Sequence, residues 1–258
     1  MAKTKKSFIE RIKPTGAKDL IRKIILLVCI CVFCYSAYNL ASIFLEYKSM
    51  DDSNKEVEET YVTENTEQKN SYKTIDFEAL LARNSDVKGW IDIPDTKVSY
   101  PIVQGETNDT YIHSDIDKKE FRAGSIFIAS ENKNPFTDLN TVIYGHNMKN
   151  TTMFSQLEKF KEESFFKSNP TITLTDKNGE KNYEVFAVLL VKKDYPYTIP
   201  NFNSDDEYNK FLNKIVDDSI FSTQNKPTYS DKILTLSTCS YEFKDARTVV
   251  FCKEKKIN

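Results

Sequence analysis

A cysteine and an arginine near the C-terminus are spaced so that they can meet across a β-hairpin. The segment ILTLSTCSYEFKDARTVVFC predicts two strands joined by a loop over 240–246. If Cys239 pairs with Arg247 in an antiparallel register, both side chains lie on one face with Cβ atoms about 5 Å apart. A guanidinium favours a neighbouring thiolate and can stabilise an oxyanion. The same residues also fit a second interpretation, in which Cys239 is a buried structural cysteine and Arg247 a surface cation. The hairpin alone does not distinguish the two interpretations.

Proton transfer would require an imidazole, and the sequence contains two histidines. His146 follows the strand pattern NTVIYG, where Gly145 would let the backbone turn. His113 lies in the polar stretch YIHSD, which is typical of an exposed loop. We therefore expect His146 to work with Cys239 and His113 to be a surface residue.

The second cysteine of this region, Cys252, is expected to be a buried strand residue that forms no disulfide with Cys239. The proposed register places Cys252 opposite Leu234, five residues along the strand from Cys239. That separation is roughly 17 Å, whereas bridged cysteines need Cα atoms within about 7 Å. The other cysteines, Cys29, Cys31 and Cys34, lie in an apolar segment and are interpreted as small apolar residues.

Strand-like runs must position these residues, and eight of them are present: VKGWIDIP, VSYPIV, GSIFIA, NTVIYGH, TITLTD, YEVFAVLLV, KILTLSTC and RTVVFCK. Eight such runs favour a closed barrel or a sandwich. Helical patterns cover 75–84, 152–168 and 204–222, the last with an N-cap at Ser204 or Asp205. The sequence thus predicts a mainly β domain with helices on its connections.

The N-terminal region predicts a membrane anchor. Residues 24–45 form a run of 22 residues without a charged side chain, long enough as a helix to cross a bilayer. Residues 1–23 carry eight basic and two acidic side chains, which predicts a cytoplasmic N-terminus and an extracellular remainder. A cleaved signal peptide is the competing interpretation. The acidic, polar stretch over 46–70 is interpreted as a stalk before a folded domain over 71–258.

The charge balance of the whole chain gives no reason to expect nucleic-acid binding. Lys and Arg number 36 and Asp and Glu 38, so the formal net charge is -2.

The motif TLSTC, with Arg247 eight positions after the cysteine and YGHN upstream, resembles the signature of the sortases, membrane-anchored cysteine transpeptidases of Gram-positive bacteria. The resemblance runs from about Ile75 to Lys253. Similarity to class B lies in GWIDIPDTKVSYPIVQGETNDTYI, GSIFI, YGHNM followed by MFSQL, and a helical insertion from about Pro200 to Ser222. One departure is Ser240, where class B members often have an acidic residue.

The resemblance implies an eight-stranded β-barrel with an N-terminal helix and His146, Cys239 and Arg247 as catalytic residues. It also implies a sorting-signal groove lined by Asn108, Ile112, Tyr144 and Ser237, together with residues of the inserted helical segment. The expected substrates are surface proteins with a C-terminal sorting signal resembling Asn-Pro-x-Thr. The expected acceptor is an amine of peptidoglycan, of its lipid-linked precursor, or of a pilin lysine, and neither metal nor organic cofactor is implied. A hydrolytic cysteine peptidase and a non-enzymatic, membrane-tethered binding domain are the alternatives.

Overall fold

The computed structural model describes residues 16–65, 72–168 and 171–255. The chain divides into two compact units, Met1–Ser49 and Met50–Asn258. Three expectations fall partly or wholly outside the described residues: the basic N-terminus up to residue 15, the last part of the stalk over 66–70, and the start of the domain at Ser71.

The apolar segment forms part of one long helix, α1 (Ala17–Tyr61). Its most apolar window of 18 residues has a mean hydropathy of 2.2, so α1 is long and apolar enough to cross a membrane. The expected span over 24–45 lies within this helix.

The stretch interpreted as a stalk is ordered and helical up to Tyr61, which differs from the expectation. Met50 and Val57, seven positions apart and therefore on one helix face, are both buried. Val57 packs in a cluster with Leu80 and Trp90. A short hairpin then follows, β1 (Val62–Asn65) and β2 (Tyr72–Ile75). Polar contacts such as the Lys73–Glu58 ion pair add to this burial, and the folded unit therefore begins near Met50.

The eight predicted strands are all present in the second unit. They are β3 (Val87–Ile93), β4 (Val98–Val103), β5 (Ile126–Ile128), β6 (Asn140–Tyr144), β7 (Ile172–Asp176), β8 (Gly179–Lys192), β9 (Ile233–Cys239) and β10 (Ala246–Glu254). They close into one barrel in the order β10-β8-β7-β3-β4-β5-β6-β9. The pairs β4–β5 and β6–β9 are parallel, and the others are antiparallel. The predicted eight-stranded barrel is confirmed.

Short helices occupy the connections, as the sequence predicts. They are α2 (Phe77–Arg83), α3 (Asp109–Ile112), a 3₁₀ helix η1 (Phe154–Lys161), α4 (Glu163–Ser168) and α5 (Asp205–Asp217). The pattern over 152–168 predicts one helix but forms two, η1 and α4.

The helix inserted before the cysteine strand, α5, begins as predicted and ends earlier than predicted. The Ser204 side chain caps α5 by accepting from the backbone N–H of Glu207 at 3.2 Å. Tyr208 and Leu212 are buried in a cluster that includes barrel residues such as Phe251. Ile220, which the periodic pattern includes, lies beyond the helix end and is 41% exposed.

The buried helix face predicts where the folded unit can be truncated. A chain that begins at Ser71 lacks the burial of Met50 and Val57, each of which contributes about 1.5–3 kcal/mol. We expect it to unfold at a clearly lower urea concentration than a chain that begins at Met50, with a free energy of unfolding lower by about 3 kcal/mol or more. Equal unfolding midpoints for the two chains would show that the helix does not stabilise the barrel.

Candidate active site

The cysteine hairpin adopts the predicted register. Cys239 at the end of β9 pairs with Arg247 near the start of β10, and both side chains are half-buried. The Arg247 guanidinium donates from Nη1 to the Ala246 carbonyl at 2.9 Å, which holds the head group near the hairpin loop. A thiol and a permanent cation are therefore adjacent on one face of the barrel wall.

The second cysteine of the hairpin lies where the register predicts. Cys252 pairs with Leu234, is fully buried, and is free, as is Cys239. Burial raises the pKa of the Cys252 thiol far above its ordinary value, because the interior disfavours the thiolate. Only Cys239, of the two, has access to solvent and to a charged neighbour.

The histidine and cysteine segments are joined by the parallel pairing of β6 with β9, in which Tyr144 is opposite Ser237. Two side-chain hydrogen bonds extend this pairing beyond the strand ends. Thr238 Oγ1 donates to the Gly145 carbonyl at 2.7 Å, and Asn147 Nδ2 donates to the Cys239 carbonyl at 2.8 Å. His146, between Gly145 and Asn147, is thereby held beside the strand that carries Cys239.

Gly145 is required because neighbouring side chains approach its backbone closely, and not for the turn that the sequence suggests. A Cβ atom at this position would lie 2.5 Å from Ile126 Cδ1 and 2.7 Å from Phe154 Cγ. Any larger residue would displace the aromatic ring of Phe154, whose backbone N–H donates to the His146 carbonyl at 3.0 Å. The glycine thus lets η1 pack directly against the segment that carries His146.

The imidazole of His146 is oriented by a backbone carbonyl. Its Nε2 lies 2.6 Å from the carbonyl oxygen of Ile112, which can only accept, so Nε2 carries a proton and Nδ1 is the nitrogen left for proton transfer. Burial lowers the pKa of His146; the hydrogen bond to Ile112 opposes this effect, and the nearby His113 ring adds to it.

His113 is exposed, as predicted, but it contacts the site. Its ring stacks on the His146 ring with centroids 5.5 Å apart and an interplanar angle of 22°. The polar sequence around His113 indicates its exposure and gives no signal for this contact.

All seven predicted site residues line a single cavity: His146, Cys239, Arg247, Asn108, Ile112, Tyr144 and Ser237. The lining also includes residues that the sequence reasoning did not assign to the groove: Phe127, Gly145, Lys193, Tyr197, Thr198 and Thr238. Of these, Tyr197 contacts a predicted site residue directly, with its hydroxyl 2.9 Å from Ser237 Oγ. Tyr197 lies in an irregular segment after β8, where no periodicity could have indicated it. Among the described residues of the inserted segment over 200–222, none lines this cavity.

The amide of Asn108 is held in place at the edge of the cavity. Its Nδ2 donates to Glu131 Oε2 at 3.0 Å, and its Oδ1 accepts from the backbone N–H of Ser130 at 2.9 Å. Among the described residues that line the cavity, the charged side chains are Lys193 and Arg247, together with the titratable His146. The cavity therefore favours a substrate with hydrogen-bonding groups and without excess positive charge.

Ser240, which stands where class B members often have an acidic residue, is itself bonded to an acid. Its hydroxyl donates to the Glu242 carboxylate, which pairs with Lys161, and Lys161 in turn pairs with Glu158 on η1. Burial opposes ionisation of Glu242, but hydrogen bonds from Lys161 and Ser240 outweigh it and lower its pKa to about 2. A carboxylate is thus supplied to the hairpin loop from position 242.

An eight-stranded closed barrel with a thiol, an imidazole and a guanidinium in one cavity defines a cysteine-enzyme architecture. A family model described as the sortase domain matches residues 91–255. Sortase B of Listeria monocytogenes is 34% identical over 231 residues, which cover 87% of this chain and 92% of that protein.

The similar solved structures are also of sortase B proteins. Sortase B of Clostridium perfringens is 38% identical, with a TM-score of 0.66 over 69% of this chain and 99% of that one. Sortase B of Bacillus anthracis, in complex with AAEK1, is 32% identical, with a TM-score of 0.72 over 83% of this chain and 100% of that one. The chain belongs to the sortase family, within class B. Sortases are cysteine transpeptidases that act on sorting signals.

Proposed function

We propose that Cys239 is the nucleophile, His146 the acid–base residue and Arg247 the oxyanion-stabilising residue of this transpeptidase. The observation that carries the assignment is that these three residues, distant in sequence, line one cavity. Cys239 and Arg247 are paired across the hairpin, and His146 is attached to the same strand by the hydrogen bonds of Thr238 and Asn147.

In the first half-reaction, the thiol proton of Cys239 passes to His146 Nδ1, and the thiolate attacks the carbonyl carbon of a threonine in the sorting signal. The negative charge that develops on the carbonyl oxygen is stabilised by Arg247. When the C–N bond breaks, the protonated His146 gives its proton to the leaving amine. A thioester on Cys239 remains.

In the second half-reaction, an amine attacks the thioester and loses a proton to His146. The C–S bond breaks, the substrate is joined to the amine through a new amide, and the proton returns to the Cys239 sulfur. If water attacks instead, the product is the free acid and the enzyme behaves as a thiol protease of the EC 3.4.22 type, a hydrolase. The acceptor we propose is an amine of peptidoglycan, of its lipid-linked precursor, or of a pilin lysine.

The substrates we propose are surface proteins with an Asn-Pro-x-Thr sorting motif followed by Asn, Gly or Ser. Class B membership supports this motif, and the cavity supplies suitable partners for it. The fixed amide of Asn108, the apolar Ile112 and the phenol of Tyr144 line the groove, and Ser237 with Tyr197 offers a hydroxyl pair at its base.

Incubation of the full chain in detergent with Asn-Pro-x-Thr peptides, with and without oligoglycine, tests the proposed reaction. Mass spectrometry should find the peptide joined to oligoglycine through its threonine carbonyl, and a scrambled peptide should remain intact. Cleavage to the free acid alone, with oligoglycine, a lysine ε-amine and the lipid-linked precursor each supplied at saturation, would identify a hydrolytic peptidase. A failure to cleave any peptide of a library would favour a binding domain.

Substitutions test the assigned roles. Cys239→Ala should abolish cleavage and thioester formation, and His146→Ala and Arg247→Ala should each lower kcat/KM by roughly 10³-fold or more, because the three residues act as a unit. Cys252→Val is the matched control, since it removes the other thiol of the hairpin and should keep most of the activity. Loss of activity in Cys252→Val with a native fold, or retention in His146→Ala, would contradict the assignment.

We also propose that α1 is a retained single-pass anchor, with a cytoplasmic N-terminus and an extracellular catalytic domain, in a Gram-positive cell membrane. The uncharged run over 24–45 and the basic residues before it support this topology. The domain organisation that we propose is a cytoplasmic segment over 1–23, an anchor over 24–45, a connecting helix up to Met50 and the catalytic unit beyond it.

Protease treatment of intact cells tests the topology. A C-terminal epitope should be removed by external protease, while the full-length chain should fractionate with the membrane. A soluble, secreted form that begins near residue 46 would show instead that the apolar segment is a cleaved signal peptide.

A further inference from the structure

The stacked pair of His113 and His146 joins the candidate acid–base residue to a second titratable ring. His146 is half-buried, and its Nε2 is committed to the Ile112 carbonyl at 2.6 Å. His113, the next residue after Ile112, is exposed, and its ring centroid lies 5.5 Å from that of His146. One short turn of chain therefore supplies both the hydrogen bond that orients His146 and the ring that covers it.

Two imidazoles at this distance cannot both take a proton without electrostatic cost, so their titrations are coupled. His113 is exposed and His146 is half-buried, so a positive charge is better solvated on the His113 ring. A positive charge on His113 opposes a proton on His146.

The other charged or titratable groups that share the cavity with His146 come from separate elements. Cys239 and Arg247 lie on the hairpin, Lys193 follows β8, and Tyr144 and Tyr197 complete the cavity lining. From η1 the contact is the backbone N–H of Phe154. Asp115, an acid close to His113 in sequence, accepts from the backbone N–H groups of Asp117 and Lys119 in its own turn.

We propose that His113 is a positioning residue for the transpeptidation: in its protonated form it holds His146 neutral, so that His146 can accept the proton of Cys239. This inference rests on the proposed role of His146. The charge repulsion itself is independent of catalysis, and it can be measured without substrate.

The test is a titration of the full chain, in detergent and without a histidine tag, followed by NMR of ¹³C-labelled histidine. Because the chain has two histidines, His113→Gln and His113→Phe each leave one imidazole signal, that of His146, and His146→Gln identifies the signal of His113. Both neutral substitutions should raise the pKa of His146 relative to the unmodified chain. His113→Arg, which places a permanent cation at this position, should keep it low.

The kinetic arm uses the same variants with the sorting peptide. In His113→Gln, the ratio of kcat/KM at pH 5.5 to that at pH 7.5 should fall by about threefold, the effect of one charge at this distance in a water-like dielectric. His113→Arg should restore the ratio.

The outcomes separate the two proposals. If the neutral and cationic variants leave the His146 titration at the same pH, the repulsion does not exist and the inference is wrong. If His113→Phe behaves like the unmodified chain and His113→Gln does not, ring packing and not charge is responsible, which also contradicts the inference. If the NMR titration behaves as expected but the pH–rate ratio is unchanged, the role of His146 in catalysis is the part that fails.

Discussion

The parallel pairing of β6 with β9 is the constraint on which the rest of the site depends. It places residues about 90 positions apart side by side, with Asn140 opposite Ile233 and Tyr144 opposite Ser237. A bond from Thr235 Oγ1 to Asn140 Oδ1 at 2.7 Å, fully buried, fixes this register from inside. A slip of one residue would leave that bond unmade and would move the Cys239 side chain to the other face. Pairing of β9 with β10 then adds Arg247 to the same mouth of the barrel.

Asn140 extends the same constraint to the cavity wall around Tyr197. Its Nδ2 donates to the carbonyls of Tyr197 and Ile199, at 3.0 and 2.9 Å, so the irregular segment after β8 is tied to the start of β6. That segment brings Tyr197 against Ser237 in the cavity wall. One buried amide thus couples the strand pair that carries the proposed nucleophile and acid–base residue to the wall that would face the substrate. A buried amide costs free energy of folding unless all its polar atoms are hydrogen-bonded, so this network favours a single arrangement of the three segments.

The sequence predicts those features that local pattern determines. The eight strands, the Cys239–Arg247 register and the Ser204 cap follow from alternation, loop length and capping chemistry, and all are confirmed. Features that depend on long-range packing could not be predicted. The fully buried apolar side chains of the helix up to Tyr61 are Met50 and Val57, too few to alter the acidic composition of the segment. The position of Tyr197 and the stacking of His113 on His146 depend on which loops lie next to each other at the cavity. Sequence periodicity carries no information on that arrangement of loops.

The measurement that tests this account most directly is kcat/KM for sorting-peptide cleavage by Thr238→Val. The substitution keeps the size of the side chain and removes only its hydrogen bond to the carbonyl of Gly145, the residue before His146. Thr248→Val is the control. It also removes a buried hydroxyl, but the Thr248 hydroxyl lies on β10 and donates to Glu158 and not to β6. If the β6–β9 junction positions the imidazole, Thr238→Val should lose about tenfold or more in kcat/KM with its barrel folded, and Thr248→Val should lose much less. An unchanged kcat/KM in Thr238→Val would contradict the claim that this junction positions the catalytic groups.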